Sequence, residues 1–154
     1  MPLSLTIQFA STAKTLPARA QVRRWALAAH RAMSGDATIR YVDDKEARAL
    51  NRDFRGKDYA TNVLTFVHEL THTRNEKEIA HFHADIVICA PVIFREARAQ
   101  NKSAHEHHAH MVVHGMLHAQ GFDHEIDADA TVMESLEVQI LHRFRIKNPY
   151  DADE

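Results

Sequence analysis

His114, His118 and His124 stand in the run His114-Gly-Met-Leu-His118-Ala-Gln-Gly121-Phe-Asp123-His124. A spacing of four puts His114 and His118 on one helix face, about a turn apart. Both imidazoles then reach one ion at the roughly 2.0–2.1 Å that Zn–N bonding needs. Gly121 lets the chain reverse, and His124 comes back as a third ligand. Three ligands leave a fourth position for water, which is the arrangement of a catalytic zinc. The pair alone carries little weight. The chain has 13 histidines, seven of which (His105, His107, His108, His110, His114, His118 and His124) fall within 20 residues, and His110 and His114 form another pair spaced by four. The third histidine, just beyond a helix-ending glycine, is what selects this set. H-x-x-x-H-x-x-G-x-x-H is also the spacing of a class of zinc proteases. Those enzymes carry a Glu general base directly after the first His, and Gly115 stands there instead. A peptidase of that mechanism lacks its base.

The elements that must hold these residues follow from periodicity. Leu3, Leu5, Ile7 and Phe9 alternate with polar partners, which predicts a strand over 3–10 and not a signal peptide. A helix follows Pro17, with Val22, Trp25, Ala26, Ala29 and Met33 at helical spacing and Ser34-Gly35-Asp36 as its stop. A second strand is expected over 37–42. Asp43-Asp44 then cap a helix through Ala47, Leu50 and Phe54 that ends at Gly56. Residues 61–66 read as a third strand, 68–80 as a loop, and 84–90 as a fourth strand. The succession Ile86-Val87-Ile88 there implies burial on both faces. Pro91 starts a helix on Val92, Ile93 and Ala97. Ser103 and Glu106 form a capping box for a helix apolar over more than half its circumference, hence buried and central. Val132, Leu136, Ile140 and Leu141 mark a last helix, and 148–154 is an acidic tail. The expectation is one α+β domain over 1–154: a mainly four-stranded mixed sheet, about five helices, and the metal site on the central helix and the turn behind it.

Composition excludes several classes. With 154 residues, 45 % hydrophobic and 26 % charged, the chain suits one soluble globular domain with a real core. No apolar run approaches a membrane span, so no membrane partner is expected. One cysteine, Cys89, permits no intrachain disulfide, and a packed thiol is its expected role. With no export signal, the cytoplasm is the expected compartment. The net charge of −2 hides an asymmetry: residues 1–60 hold 11 Lys/Arg against 6 Asp/Glu, and residues 121–154 hold 3 against 9. A basic first part allows a local phosphate-binding face, although solvated helix faces explain such charge equally well.

The signature from His114 to His124 resembles the H-G-x-L-H-x-x-G-[YF]-D-H motif of the YbeY family of bacterial metal-dependent endoribonucleases. Leu50-Asn-Arg-Asp-Phe54-Arg55-Gly-Lys57-Asp-Tyr-Ala-Thr-Asn62-Val-Leu-Thr65-Phe66 is similar to that family's L-N-x-x-[YF]-R-x-K-D-x-x-T-[DN]-V-L-[ST]-F run. Asp85-Ile-Val-Ile-Cys89 resembles its G-D-I-V-I strand, with Ala84 in place of the usual Gly. The resemblance spans nearly everything from about residue 35 onward. It implies cleavage of single-stranded RNA, maturation of the 3′ end of 16S rRNA of the small ribosomal subunit, and ribosome quality control. It implies one Zn2+ per chain on His114, His118 and His124, and a role in activity for Arg55. Small-subunit and assembly-factor partners are expected, and DNA is not.

Arg55 suits this chemistry, because a guanidinium presents a fork matched to phosphate. A surface Arg ending a helix is the bland reading of the same residue. Asp123 serves either to orient a histidine or to cap the turn. His107 and His110, where the family also often has histidines, are read as core or groove residues with RNA or ligand-supporting roles open. Asn62 and Thr65 suit substrate contact or strand packing. Two other classes stay in play: a zinc hydrolase of peptide or a small ester, and a non-catalytic ribosome assembly factor with structural zinc.

Overall fold

In a computed structural model describing residues 2–151, the chain forms β1 (Leu3–Phe9), α1 (Arg19–Ala29), β2 (Ser34–Val42), α2 (Asp44–Arg55), β3 (Val63–His72), β4 (Ile79–Cys89), α3 (Ala90–Ala99), α4 (Ala104–Ala119) and α5 (Asp127–His142). The sheet order is β1-β2-β4-β3. β1, β2 and β4 run parallel, and β3 pairs antiparallel with β4 as an edge strand. This is the expected α+β architecture with a mixed four-stranded sheet. No helix among the described residues is long and apolar enough to cross a membrane.

β4 is buried on both faces where Ile86-Val87-Ile88 predicts it. Phe82, Ala84, Ile86 and Ile88 join the main core with Ile39 and Tyr41 of β2, Val22 and Trp25 of α1, and Val112, Val113 and Met116 of α4. Val87 and Cys89 join a second cluster with Val42, Ala47, Leu64 and Val92. Cys89 is a packed thiol, and burial pushes its pKa up to about 11.

α4 starts as expected: Ser103 Oγ accepts the Glu106 amide at 3.1 Å. It touches β3, β4, α1, α3 and α5. From residue 107 to 120 every position is buried except His114 and His118, which are half-buried. Gln120, at its end, is 1 % exposed. Its amide takes the Arg31 and Ala32 N–H groups and donates to the Ala29 and Met116 carbonyls. The polar group is fully satisfied and locks the end of α1 to α4.

Four expectations are corrected. The loop over 68–80 is mostly strand: β3 runs on to His72 and β4 begins at Ile79, leaving only 73–78 as the turn. This arm is largely exposed, so ladder hydrogen bonds hold it and hydropathy carries no trace of them. Its register shifts between Val67 and Glu69 and again between Thr71 and His72. Ser34-Gly35-Asp36 opens β2 and does not stop α1, which ends at Ala29 and leaves Met33 exposed. Gly35 is needed there for space: a Cβ would sit 2.1 Å from the Phe82 ring. Asp43 occupies the cap position of α2 but caps nothing, because its carboxylate accepts from Ser11 Oγ, Thr12 N and Thr12 Oγ1. In α5 the inward face is Met133, Glu137, Ile140 and Leu141, with Val132 exposed. Of the acidic tail, 152–154 lie outside the described residues, while Tyr150 packs back on α5.

His108 is the unusual core residue. It is 2 % exposed, its ring lies 5.5 Å from both Tyr41 and Phe94, and among the described residues neither ring nitrogen has a protein partner. Burial, helped by His107 and His105, lowers its pKa to about 4. The unfolded chain takes up this proton as pH falls through about 6.5, and the folded chain does not until about 4. The stability carried by neutral His108 is therefore present above about 6.5 and lost as pH falls toward 4. At about 1.4 kcal/mol per unit, the loss approaches roughly 3 kcal/mol. In urea unfolding after chelator treatment, wild type should lose up to that amount of stability relative to His108→Phe from pH 7 to 4. A gap independent of pH would refute the assignment.

Candidate metal centre and active-site groove

The central helix presents its two half-buried histidines to a groove of about 450 Å³. His114 and His118 line it with Asp123 and His124 from the turn behind α4, Val63, Leu64 and Thr65 from β3, and Asn51 and Arg55 from α2. The turn is built by Gly121, which takes φ +97° and donates its N–H to the His118 carbonyl at 3.0 Å. Phe122 N–H returns to the Leu117 carbonyl at 3.2 Å. The chain thus doubles back within three residues of the helix end and brings His124 over the groove.

The structure brings the three expected ligands together. Ring centroids are 6.4 Å apart for His114 and His118, 5.4 Å for His114 and His124, and 6.0 Å for His118 and His124. Three imidazoles on one tetrahedral ion at ~2.0–2.1 Å put centroids roughly 5 Å apart, so the three rings stand wider than a metal-bound set. Two ring nitrogens are already engaged away from the shared centre. His118 Nδ1 meets the Phe122 carbonyl at 3.0 Å, and His114 Nδ1 faces both Glu137 oxygens at 3.4 Å. With Nδ1 protonated toward these oxygens, each ring keeps its Nε2 lone pair. Burial also lowers the His118 pKa and so favours the neutral imidazole that binds metals. The donor set fits zinc.

Arg55 reaches the same groove from the C-terminal end of α2, which Gly56 closes at φ +70°. Its Nη2 donates to the Thr65 carbonyl at 2.7 Å and its guanidinium lies 5.7 Å from the Phe66 ring centroid. Among the described residues its other donors have no hydrogen-bonding partner. Lys57 and Tyr59, the latter 54 % exposed, line the groove next to it.

The remaining candidates divide. Asp123 caps the turn, accepting the His124 amide at 2.7 Å. His107 pairs with Glu96 at 2.8 Å, and Asn62 donates to the same carboxylate at 3.0 Å, so both tie α3 to its neighbours. Thr65 is buried and contributes its carbonyl to Arg55. His110 belongs to a second cluster: its Nε2 meets Glu137 at 2.8 Å, and Tyr150 Oη donates to Glu137 at 2.6 and 2.9 Å. Burial opposes ionisation of Glu137, but His110 and His114 outweigh it and hold the carboxyl at about 2. His110, His114 and Glu137 also place ligand-type atoms within 4.8 Å of one another, a possible three-residue cation site. Sequence reasoning missed Glu137 and Tyr150. The one available signal was a Glu inside the apolar face of α5, next to Leu136 and before Ile140.

Fold and groove define a single-domain α+β protein with a histidine-rich candidate metal centre. The family model described as endoribonuclease YbeY matches residues 8–145, and the chain belongs to that family. It is 53 % identical over 152 residues to endoribonuclease YbeY of Thiobacillus denitrificans, covering 97 % of both chains. It is 50 % identical over 153 residues to the Aromatoleum aromaticum protein of the same name, covering 96 % of this chain and 92 % of that one. The solution structure of TM1509 from Thermotoga maritima shares the fold with a TM-score of 0.54 at 22 % identity, covering 97 % of each chain.

The absence of a glutamate after His114 has a steric cause. α4 crosses β4 at Gly115, where a Cβ would lie 2.7 Å from Ile86 Cγ2 and 3.4 Å from Val63 Cγ2. Ile86 is β-branched and buried in the central strand, so it yields little. Gly115→Ala should lose about 1 kcal/mol, as overpacking outweighs the gain in helix propensity, and lower Tm by a few degrees. Gly115→Glu should lose far more. A Gly115→Glu protein as stable as wild type in thermal melts would show that the helix does not need this contact.

Proposed function

We propose that the groove is the active site of a zinc-dependent endoribonuclease that cleaves single-stranded RNA. His114, His118 and His124 hold one Zn2+, and Arg55 binds the phosphodiester. The observation that carries this reading is the convergence of three histidines, two with Nδ1 already engaged, opposite a guanidinium in one open groove. Zinc held there supplies Lewis-acid polarisation of a phosphoryl oxygen and acidifies a water molecule. The chain's own residues do the rest. Arg55 is held at one donor by the Thr65 carbonyl, so its remaining donors stand ready for phosphate oxygens without reorganising. Tyr59 offers an exposed ring on which an unpaired base stacks, an interaction available only to single strands. Arg40, Arg48 and Arg52 pair with Glu46, Asp58 and Asp53 and are not free for phosphate.

The biological setting follows from the family. The substrate is the 3′ region of 16S rRNA, the role is maturation and ribosome quality control, and the partners are the small subunit and its assembly factors in the cytoplasm. The endoribonuclease name of the relatives supports this reading. Peptide hydrolysis is disfavoured because Gly115 leaves no room for the base that such enzymes use. A purely structural zinc is disfavoured because the groove leaves the ligand cluster accessible.

Elemental analysis and a cleavage assay on single-stranded and duplex RNA oligonucleotides test the proposal. The wild-type protein should carry about one zinc, cleave the single strand, lose activity on chelation and regain it with zinc. His114→Ala, His118→Ala and His124→Ala should each lose metal and activity. Arg55→Ala should keep its metal and lose roughly 10²–10³-fold in cleavage, the typical effect of removing one charge-stabilising donor. Unchanged cleavage by metal-free protein would sink the metallonuclease reading, and unchanged cleavage by Arg55→Ala would remove Arg55 from it.

A further inference from the structure

We propose that Glu137 is the positioning residue of the metal centre: with Tyr150 and His110 it fixes His114 in the tautomer and orientation that turn Nε2 toward the groove. The inference rests on the ligand set proposed above and adds what holds its first member in place.

Glu137 is 0 % exposed. A carboxylate taken wholly out of water must be compensated by several donors. Three converge on it. Tyr150 Oη donates at 2.6 and 2.9 Å, His110 Nε2 at 2.8 Å, and His114 Nδ1 stands equidistant from the two oxygens at 3.4 Å. An ionised carboxylate only accepts, so each partner must present a hydrogen. That requirement places the His110 proton on Nε2, and the buried His110 Nδ1 correspondingly has no donor or acceptor partner among the described residues. It places the His114 proton on Nδ1 and leaves the Nε2 lone pair, which a metal needs, on the side of His118 and His124. Glu137 and His114 thus form a carboxylate–histidine pair of the kind that orients a metal ligand.

The same atoms explain why His110, His114 and Glu137 cluster without being a cation site of their own. Both Glu137 oxygens already accept from Tyr150, and His110 points a donor at the carboxylate. An ion among the three would have to displace both contacts. Tyr150 packs its ring against His110 at 5.4 Å between centroids and covers the carboxylate on that same side.

Zinc affinity, measured by competition with a chromophoric chelator, and the visible spectrum of the cobalt-substituted protein test this assignment. Neither is a readout of activity. Glu137→Gln keeps the shape but turns an N–H₂ toward one of three donors. It should bind one zinc about 10–100-fold more weakly and shift the cobalt bands. Tyr150→Phe changes a half-exposed ring and leaves the core intact, so it decides the matter if Glu137→Gln fails to fold. Its zinc affinity should fall several-fold with a smaller shift of the same bands. Unchanged affinity and spectrum in these variants, while His114→Ala loses the metal, would overturn the role of Glu137 alone. Metal kept by His118→Ala and His124→Ala but lost by His110→Ala would overturn the ligand set itself and assign the ion to the buried trio.

Discussion

The crossing of α4 over β4 is the contact on which the rest of the molecule depends. At Gly115 the helix approaches so closely that a single methyl group would strike Ile86. That approach buries the helix on nearly every side and leaves His114 and His118 as its two half-buried positions between 107 and 120. Two of the three proposed ligands are therefore carried by the most constrained element of the fold. A metal centre gains from this, because its geometry is set by core packing and not by loop conformation. The third histidine comes from a loop, but a loop tied to the helix end by three main-chain and side-chain bonds to His118 and Leu117.

The two sides of the groove are held by different means. α4 provides the histidines from within the core. Arg55 comes from the other cluster, at the end of α2, and meets them across the edge strand β3. Thr65 and Phe66 fix the guanidinium where β3 passes. The three histidines and Arg55 thus approach the groove from elements packed in separate hydrophobic clusters, with β3 between them. Behind the histidines, Glu137 and Gln120 show how polar groups survive in this core. Each is buried, and each has its hydrogen-bonding capacity used by several partners.

Much of this was legible in the sequence because the relevant signals are local. The His114–His118 spacing, Gly121, the Ser103 cap and the run Ile86-Val87-Ile88 each depend on neighbours within a few residues, and each appears where the pattern puts it. What was not legible depends on partners far along the chain. The outer arm of β3 and β4 is polar and exposed, so only its ladder bonds define it. Gly35 reads as a helix stop, yet its reason is the Phe82 ring 47 positions away. Glu137 falls among the apolar positions of α5, and only the tertiary structure shows His110, His114 and Tyr150 around it. Asp43 has the right type and place for a cap, but Ser11 and Thr12 claim its oxygens first.

The edge position of β3 has a cost that the fold manages. An active-site groove at a sheet margin must leave that margin open, and an open margin invites another strand to pair with it. The irregularities at Val67–Glu69 and Thr71–His72 break the straight run of main-chain donors and acceptors beyond the groove. His68 and Glu69 add polar side chains to the same stretch. Along Val63–Val67, beside the histidines and Arg55, the register is unbroken. The arm that hydropathy overlooks thus makes the edge beyond the groove a poor template for an added strand.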